Sequence, residues 1–219
     1  MPTPVGNLED ITLRALKVLR SADLVAAEDT RTSGVLLKHH GISVPTTALH
    51  MHNEHHKIRQ LIEKVSLEGL NLAVVTDAGT PGISDPGFLL VREAVVAGIK
   101  VEVLPGATAF VPALVASGLP CDRFCFEGFL PIKKGRRTRL EALKTESRTM
   151  VFYESPHKIQ RTVMDLMECL GADRPACLSR EISKIHEEHI RGTLQEIHVR
   201  TASGGLKGEM VLVVGGLDD

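Results

Sequence analysis

Short runs of consecutive apolar residues recur along this chain, and between them lie longer stretches in which apolar residues return at helical spacing. That alternation is the pattern of βαβ units: a strand covered on both faces carries apolar residues in succession, and a helix connects it to a parallel neighbour. The runs that read as strands are Leu24 to Ala27, Leu72 to Thr76, Val101 to Leu104, Phe124 to Gly128, Met150 to Glu154, Ala176 to Ser179 and Met210 to Val214. In LAVV and MVLVV no polar residue interrupts the run, so parallel sheets covered on both faces are expected there. The expectation is an α/β protein with mainly parallel or mixed sheets.

A first helix is expected to start after Asn7, a good N-cap with Asp10 three residues on, and another at Ser155 with Pro156 in its first turn. Around Ala116 to Pro120 a helix runs out in Gly118 and Pro120, which marks a boundary between two α/β lobes, 1–118 and 119–219. A length of 219 residues suits two such lobes or one larger one.

The formal net charge is -1, so any basic surface must be local. Four cysteines, Cys121, Cys125, Cys169 and Cys177, form neither a C-x-x-C pair nor a dense disulfide pattern, which fits a reducing, cytoplasmic setting. There is no signal-like start and no apolar run of membrane-spanning length, so no membrane association is expected.

In open α/β sheets, ligands collect at the carboxyl ends of strands. After Leu72 to Thr76 comes TDAGTPGISDPG, with Gly79, Gly82 and Gly87, two prolines, and Asp77, Thr80, Ser84 and Asp85. Glycine allows close backbone approach, proline stiffens the path, and short polar side chains can hold an amino-acid group or a ribose. The same residues also suit a structural turn that caps the next helix from Asp85. A second strand-end turn, Pro105 to Ala109, could converge on the first, and neither G-x-G-x-x-G after a strand nor a P-loop is present.

Eight segments in order, PTPVGNLEDITLRAL, AAEDTRTS, TDAGTPGISDPG, LPGATA, FEGFLP, FYESPHKI, SREISKIHEE and KGEMVLVV, resemble the tetrapyrrole-methylase superfamily, and within it the branch that methylates ribosomal RNA. The resemblance implies two α/β lobes with S-adenosylmethionine in a cleft between them, a homodimer and no metal. It places the cofactor turn on Gly79, Thr80 and Pro81, with further contacts from Ile83, Thr108 and Ala109, and Asp77 joins them as a candidate. It also implies a target, the 2′-hydroxyl of a cytidine in 16S rRNA within the small ribosomal subunit. Such proteins open with a short strand before PTPVGN and continue past KGEMVLVV, so a first strand and its cofactor-side contacts are expected to be lacking here.

Methyl transfer to a hydroxyl requires alignment of the oxygen and a base for its proton. Glu28 and Asp29, at the end of a strand beside Arg31, are the candidates, although acids at a helix start also simply favour its dipole. His50, His52, His55 and His56 could suggest a metal, but no recognised ligand motif completes the set, and a polar face or substrate contact suits them better. Lys133, Lys134, Arg136, Arg137, Arg139 and Lys144 oppose Glu141 alone, a local excess of five positive charges that suits RNA phosphates or a solvated helix face. His157 is a further substrate candidate, and Arg180 with Glu181 either an ion pair or a substrate contact. Methylation of a tetrapyrrole or other small molecule, and a non-catalytic RNA-binding or assembly role, are the competing readings.

Overall fold

The computed structural model of the chain describes residues 1–217. It divides into two compact units between Thr108 and Ala109. The expected boundary at 118/119 falls later because it assigns the helix Phe110–Ser117 to the first lobe. That helix packs on strands of the second unit, where Ala113 and Leu114 are buried and Arg191 donates to the carbonyl of Ala116.

In the first unit, α1 (Leu13–Ser21) precedes β1 (Leu24–Ala27), α2 (Thr30–His39), β2 (Thr46–Ala48), α3 (Glu54–Glu68), β3 (Leu72–Val75) and α4 (Phe88–Val96). The three strands form one parallel sheet in the order β2-β1-β3. Side chains alternate between its faces. Val25, Ala27, Ala73 and Val75 pack with Leu19 and Leu37 on one side, while Ala26 packs with Leu49, Ile58, Leu61 and Leu90 on the other. Both faces are thus covered by helices, which is why β1 and β3 read as unbroken apolar runs.

Three local expectations are corrected. Asn7 caps only a 3-10 turn, Leu8–Asp10, and α1 starts at Leu13 with Thr12 as cap, its hydroxyl accepting from the Ala15 amide at 3.0 Å. Asp85 does not cap α4; Gly87, at φ 130°, takes that position. Val101 to Leu104 is extended but pairs with no strand. An apolar run supplies a strand's residues but not its hydrogen-bonded partner, and here Val103 is 70% exposed while Leu104 is buried.

In the second unit, α5 (Phe110–Ser117) is followed by β4 (Phe124–Phe129), α6 (Arg136–Leu143), β5 (Thr149–Glu154), α7 (Ile159–Leu170), β6 (Pro175–Arg180), β7 (Glu188–Thr193), α8 (Leu194–Ala202) and β8 (Met210–Val214). The five-stranded sheet has the order β4-β5-β8-β6-β7. Only β4 and β5 run parallel, and β8 is antiparallel to both of its neighbours, so MVLVV is buried for its central position and not for parallel pairing. Met150, Phe152, Leu178 and Leu212 face Val163 and Leu166 of α7 and Leu194 and Ile197 of α8. Burying Phe152 completely contributes about 2–3 kcal/mol relative to leaving it in water. α7 starts at Ile159 and not at Ser155, because Ser155 to Lys158 form a turn whose carbonyl at Ser155 accepts from both Lys158 and Ile159 at 3.0 Å.

Candidate active site

The sheet of the first unit is in register at its carboxyl edge. Ala27 stands opposite Ala48 on one side and Val75 on the other, so Glu28-Asp29, Leu49-His50 and Thr76-Asp77 leave the three strands at the same level. Adjacent strands lie about 4.8 Å apart, which brings residues from three distant parts of the sequence within side-chain reach. The outer ends of β1 and β3 are also tied to each other. The Asp29 amide donates to Asp77 Oδ1 at 3.2 Å, and the Asp77 amide donates to Glu28 Oε2 at 3.3 Å.

The two acids of β1 are in different electrostatic states. Asp29 caps α2 by accepting from the Arg31 amide at 2.8 Å, and its carboxylate takes the Arg31 guanidinium at 2.6 to 3.1 Å. That side-chain contact, reinforced by the amide, holds Asp29 down at about 2. Glu28 is half-buried, and its carboxyl is pushed up, first by desolvation and then by the charges of Asp77 and Asp29, with the Asp77 amide acting against them. Asp77 is also raised by desolvation and by the Asp29 charge. Arg31 is 90% exposed and committed to Asp29.

The loop after β3 joins the turn Pro105 to Ala109, as its sequence suggested. The Thr80 hydroxyl donates to the Ala107 carbonyl at 3.0 Å, and a Cβ at Gly79 would stand 3.8 Å from that oxygen and 4.0 Å from Thr108 Cα. Gly79 sits at φ 79°, and its amide and carbonyl pair with Thr3 at 3.0 and 2.9 Å. Pro81 and Ile83 continue the loop through a turn in which the Ile83 amide donates to Thr80 at 3.2 Å, followed by Ser84 at φ 66°, unusual for a residue with a side chain. At the far end the buried Glu54 carboxylate accepts from the Gly87 amide at 3.2 Å. Thr108 ends the first unit and Ala109 occupies the N-cap of α5.

Beyond β2 the chain makes a turn fixed by Asn53, which accepts from the His50 amide at 2.9 Å and donates to the Ala48 carbonyl at 3.1 Å. Three buried side-chain atoms around this edge lack a hydrogen-bond partner: Ser33 Oγ on the first turn of α2, His50 Nδ1, and Thr76 Oγ1. Buried polar atoms are normally paired, so three orphans beside Glu28 and Asp77 suit a polar ligand. Thr76 Oγ1, the Asp77 carboxylate and the glycine-lined loop offer acceptors and close backbone approach, which fits the ribose and amino-acid groups of S-adenosylmethionine. Among the described residues no three metal-ligating side chains come together, the histidines included. Ser33, Thr76 and Glu54 carried no chemical motif in the sequence, and only the register of the sheet reveals them.

In the second unit the basic segment is partly structural. Arg136 is buried, with its guanidinium donating to Asp165 at 2.6 Å, to the Thr162 hydroxyl at 3.0 Å and to the Pro131 carbonyl at 3.1 Å. Arg139 grips Glu127 with two bonds of 2.6 and 2.7 Å, and Lys144 pairs with Glu141 at 2.8 Å. Lys133, Lys134 and Arg137 are exposed and, among the described residues, make no ion pair. Lys133, Arg137 and Arg161 border a groove of about 450 Å³ along α6 and α7. His157 is exposed on the turn after β5, whereas Glu154 beneath it is buried and accepts from Thr162 at 2.6 Å. Arg180 pairs with Glu188 at 2.6 Å, not with Glu181, which holds Lys184 at 3.0 Å. No helix among the described residues is long and apolar enough to cross a membrane.

Comparison with known proteins agrees with this arrangement. The chain is 51% identical over 217 residues to ribosomal RNA small subunit methyltransferase I of Haemophilus influenzae, covering 98% of this chain and 76% of that protein. It is 51% identical over 219 residues to the protein of the same name from Escherichia coli O157:H7, covering 99% and 76%. In fold it is similar to diphthine synthase, with a TM-score of 0.74 at 16% identity over 97% of this chain and 87% of that one. It is likewise similar to the uroporphyrin-III C-methyltransferase of Thermus thermophilus complexed with S-adenosyl homocysteine, with a TM-score of 0.65 at 20% identity over 97% and 94%. The family model of tetrapyrrole (corrin/porphyrin) methylases matches residues 2–198, and the chain belongs to that family of S-adenosylmethionine-dependent methyltransferases.

Proposed function

We propose that this enzyme methylates the 2′-hydroxyl of a cytidine ribose in 16S rRNA, acting in the cytoplasm as a homodimer on the small ribosomal subunit. The observation that carries the reading is the joined carboxyl edge of the first unit: a desolvated carboxylate, Glu28, is tied to the end of β3, from which the glycine-rich loop departs. The identity to the rRNA methyltransferases over nearly the whole chain supports RNA over a tetrapyrrole as the acceptor.

When bound, S-adenosylmethionine supplies a methyl group already activated by positive sulfur. Asp77, Gly79, Thr80, Pro81, Ile83, Thr108 and Ala109 are the residues proposed to hold it. Glu28 is the preferred base, because burial raises its proton affinity toward that of a working acceptor, whereas Asp29 is held near 2 by Arg31 and has little affinity for a proton. Arg31 positions Asp29 and caps the site. Lys133, Lys134 and Arg137, with His157 nearby in sequence, are proposed to contact phosphates. Arg136 and Arg139 support that surface from within instead of touching RNA.

The test is transfer of labelled methyl from S-adenosylmethionine to small ribosomal subunits, naked 16S rRNA or a reduced tetrapyrrole, with Glu28→Gln in parallel. Label on a subunit ribose, lost at least about 100-fold in Glu28→Gln while cofactor binding persists, is the expected result. Label on the tetrapyrrole alone would refute the RNA reading, and full activity of Glu28→Gln would refute the assignment of the base.

A further inference from the structure

At the carboxyl edge of the three-stranded sheet, β1 delivers Glu28 and β3 delivers Asp77, and both are engaged by each other's turns. β2 delivers His50, whose surroundings are different. Its backbone is fully committed: the amide donates to Asn53 Oδ1 at 2.9 Å, and the carbonyl accepts from the amides of Asn53 at 2.9 Å and Glu54 at 3.0 Å. The turn is therefore fixed, and with it the point from which the imidazole projects. Yet Nδ1 is buried with no protein partner. A structural histidine in such a rigid turn would be expected to spend that nitrogen on a neighbour, because an unmade buried hydrogen bond costs about 1–3 kcal/mol.

We propose that His50 is the positioning and relay residue for Glu28, receiving through Nδ1 the proton that Glu28 takes from the acceptor hydroxyl. This inference rests on the methyltransferase reading above and adds a residue to it. The step balances as follows. The hydroxyl oxygen forms its bond to the methyl carbon as the carbon–sulfur bond breaks and the sulfur keeps that electron pair. The hydroxyl proton passes to the Glu28 carboxylate and from there to His50 Nδ1, and the resulting imidazolium returns it to water. Histidine is suited to this because its ordinary titration lies near neutral pH.

The charged and titratable groups around it are Glu28, Asp29 and Arg31 on the β1–α2 side, Asp77 after β3, His52 in the same turn with its ring 6.0 Å away, and Glu54 at the start of α3. Of these, Asp29 and Arg31 neutralise each other, and Glu54 is committed to the Gly87 amide, which leaves Glu28 and Asp77 as the carboxylates that His50 can serve. Burial and the neighbouring acids raise Glu28, and the His50 charge acts in the opposite direction, which is consistent with the two groups sharing one electrostatic site.

The experiment compares wild type, His50→Asn and His50→Ala in rate against pH on small ribosomal subunits, with melting temperature and S-adenosylmethionine affinity as controls. His50→Asn keeps a polar atom near Nδ1 but cannot titrate. It is expected to melt and bind cofactor as the wild type does, to lose kcat about 10–100-fold, and to lose the ionisation near neutral pH from its profile. Added imidazole is expected to restore His50→Ala at least threefold. An NMR titration of the His50 ring, in wild type and in Glu28→Gln, reads the coupling without any turnover, and removing the carboxylate should lower the midpoint. Wild-type kcat and an unchanged pH profile in His50→Asn would overturn the proposal. If His50→Asn does not fold, absence of imidazole rescue in His50→Ala together with an unshifted midpoint would do the same. Wild-type protein that labels no RNA would instead overturn the reading beneath it, and the two failures are distinguished by the wild-type lane.

Discussion

Arg136→Met separates a cation that holds the fold from cations that hold a substrate. Arg136 looks, in sequence, like the centre of a basic cluster, but its side chain is only 10% exposed and makes three hydrogen bonds to Asp165, Thr162 and Pro131. Methionine fills a similar volume and leaves Asp165 with only the distant guanidinium of Arg161, at 3.9 Å. Breaking one side of a buried charge pair costs about 3–5 kcal/mol. Asp165 is 18% exposed, so water can reach it in part, and Thr162 keeps its bond to Glu154, which places the loss near the low end, about 3 kcal/mol. Domain stabilities run to about 5–15 kcal/mol, so the loss is a large fraction of the total. Urea denaturation followed by circular dichroism should show a lower midpoint at unchanged slope for Arg136→Met. Arg137→Met should stay within about 0.5 kcal/mol of wild type while weakening RNA binding and flattening its salt dependence. Arg136→Met at full stability but with lost RNA binding would refute the reasoning and return Arg136 to the substrate surface.

Thr80→Val removes the hydroxyl that joins the loop after β3 to Ala107. A loss of about 1 kcal/mol is expected, or roughly fivefold weaker S-adenosylmethionine binding by titration calorimetry; equal affinity would show that the two turns need no tie. Asp29 is held at about 2 by Arg31, below the ordinary carboxyl value of about 4. Its contribution to stability is therefore complete above about pH 4 and lost as pH falls toward 2, so Asp29→Asn should flatten that part of the curve of unfolding midpoint against pH. An identical acid limb in wild type and variant would count against the Asp29–Arg31 pairing.

The parts of the fold that were legible in sequence are those in which one segment carries its own evidence. β1 and β8 match their apolar runs to the residue, because central strands are apolar at every position. Edge strands gave no such signal: β2 is TTA and β7 is EHIRGT, each covered or paired on one side only. Val101 to Leu104 had the pattern without a partner. At the site, the glycine and proline spacing of residues 76–87 pointed to a ligand loop, but the difference between Glu28 and Asp29 was invisible, since adjacent acids differ only in what folding puts beside them. The same holds for Arg136 and Arg137, one turned into α7 and one into water.

The bond between Glu54 and Gly87 links more than two residues. Gly87 closes the loop proposed to receive the methyl donor, and Glu54 opens the helix whose first turn is anchored on the His50 carbonyl. A ligand that shifts the loop therefore acts through one buried carboxylate on the turn that carries His50. Coupling of this kind is reciprocal, so whatever factor the donor adds to the affinity for the acceptor, the acceptor adds to that for the donor. Glu54→Gln, which retains an acceptor oxygen without its charge, would weaken that cooperativity before it weakened either binding event alone.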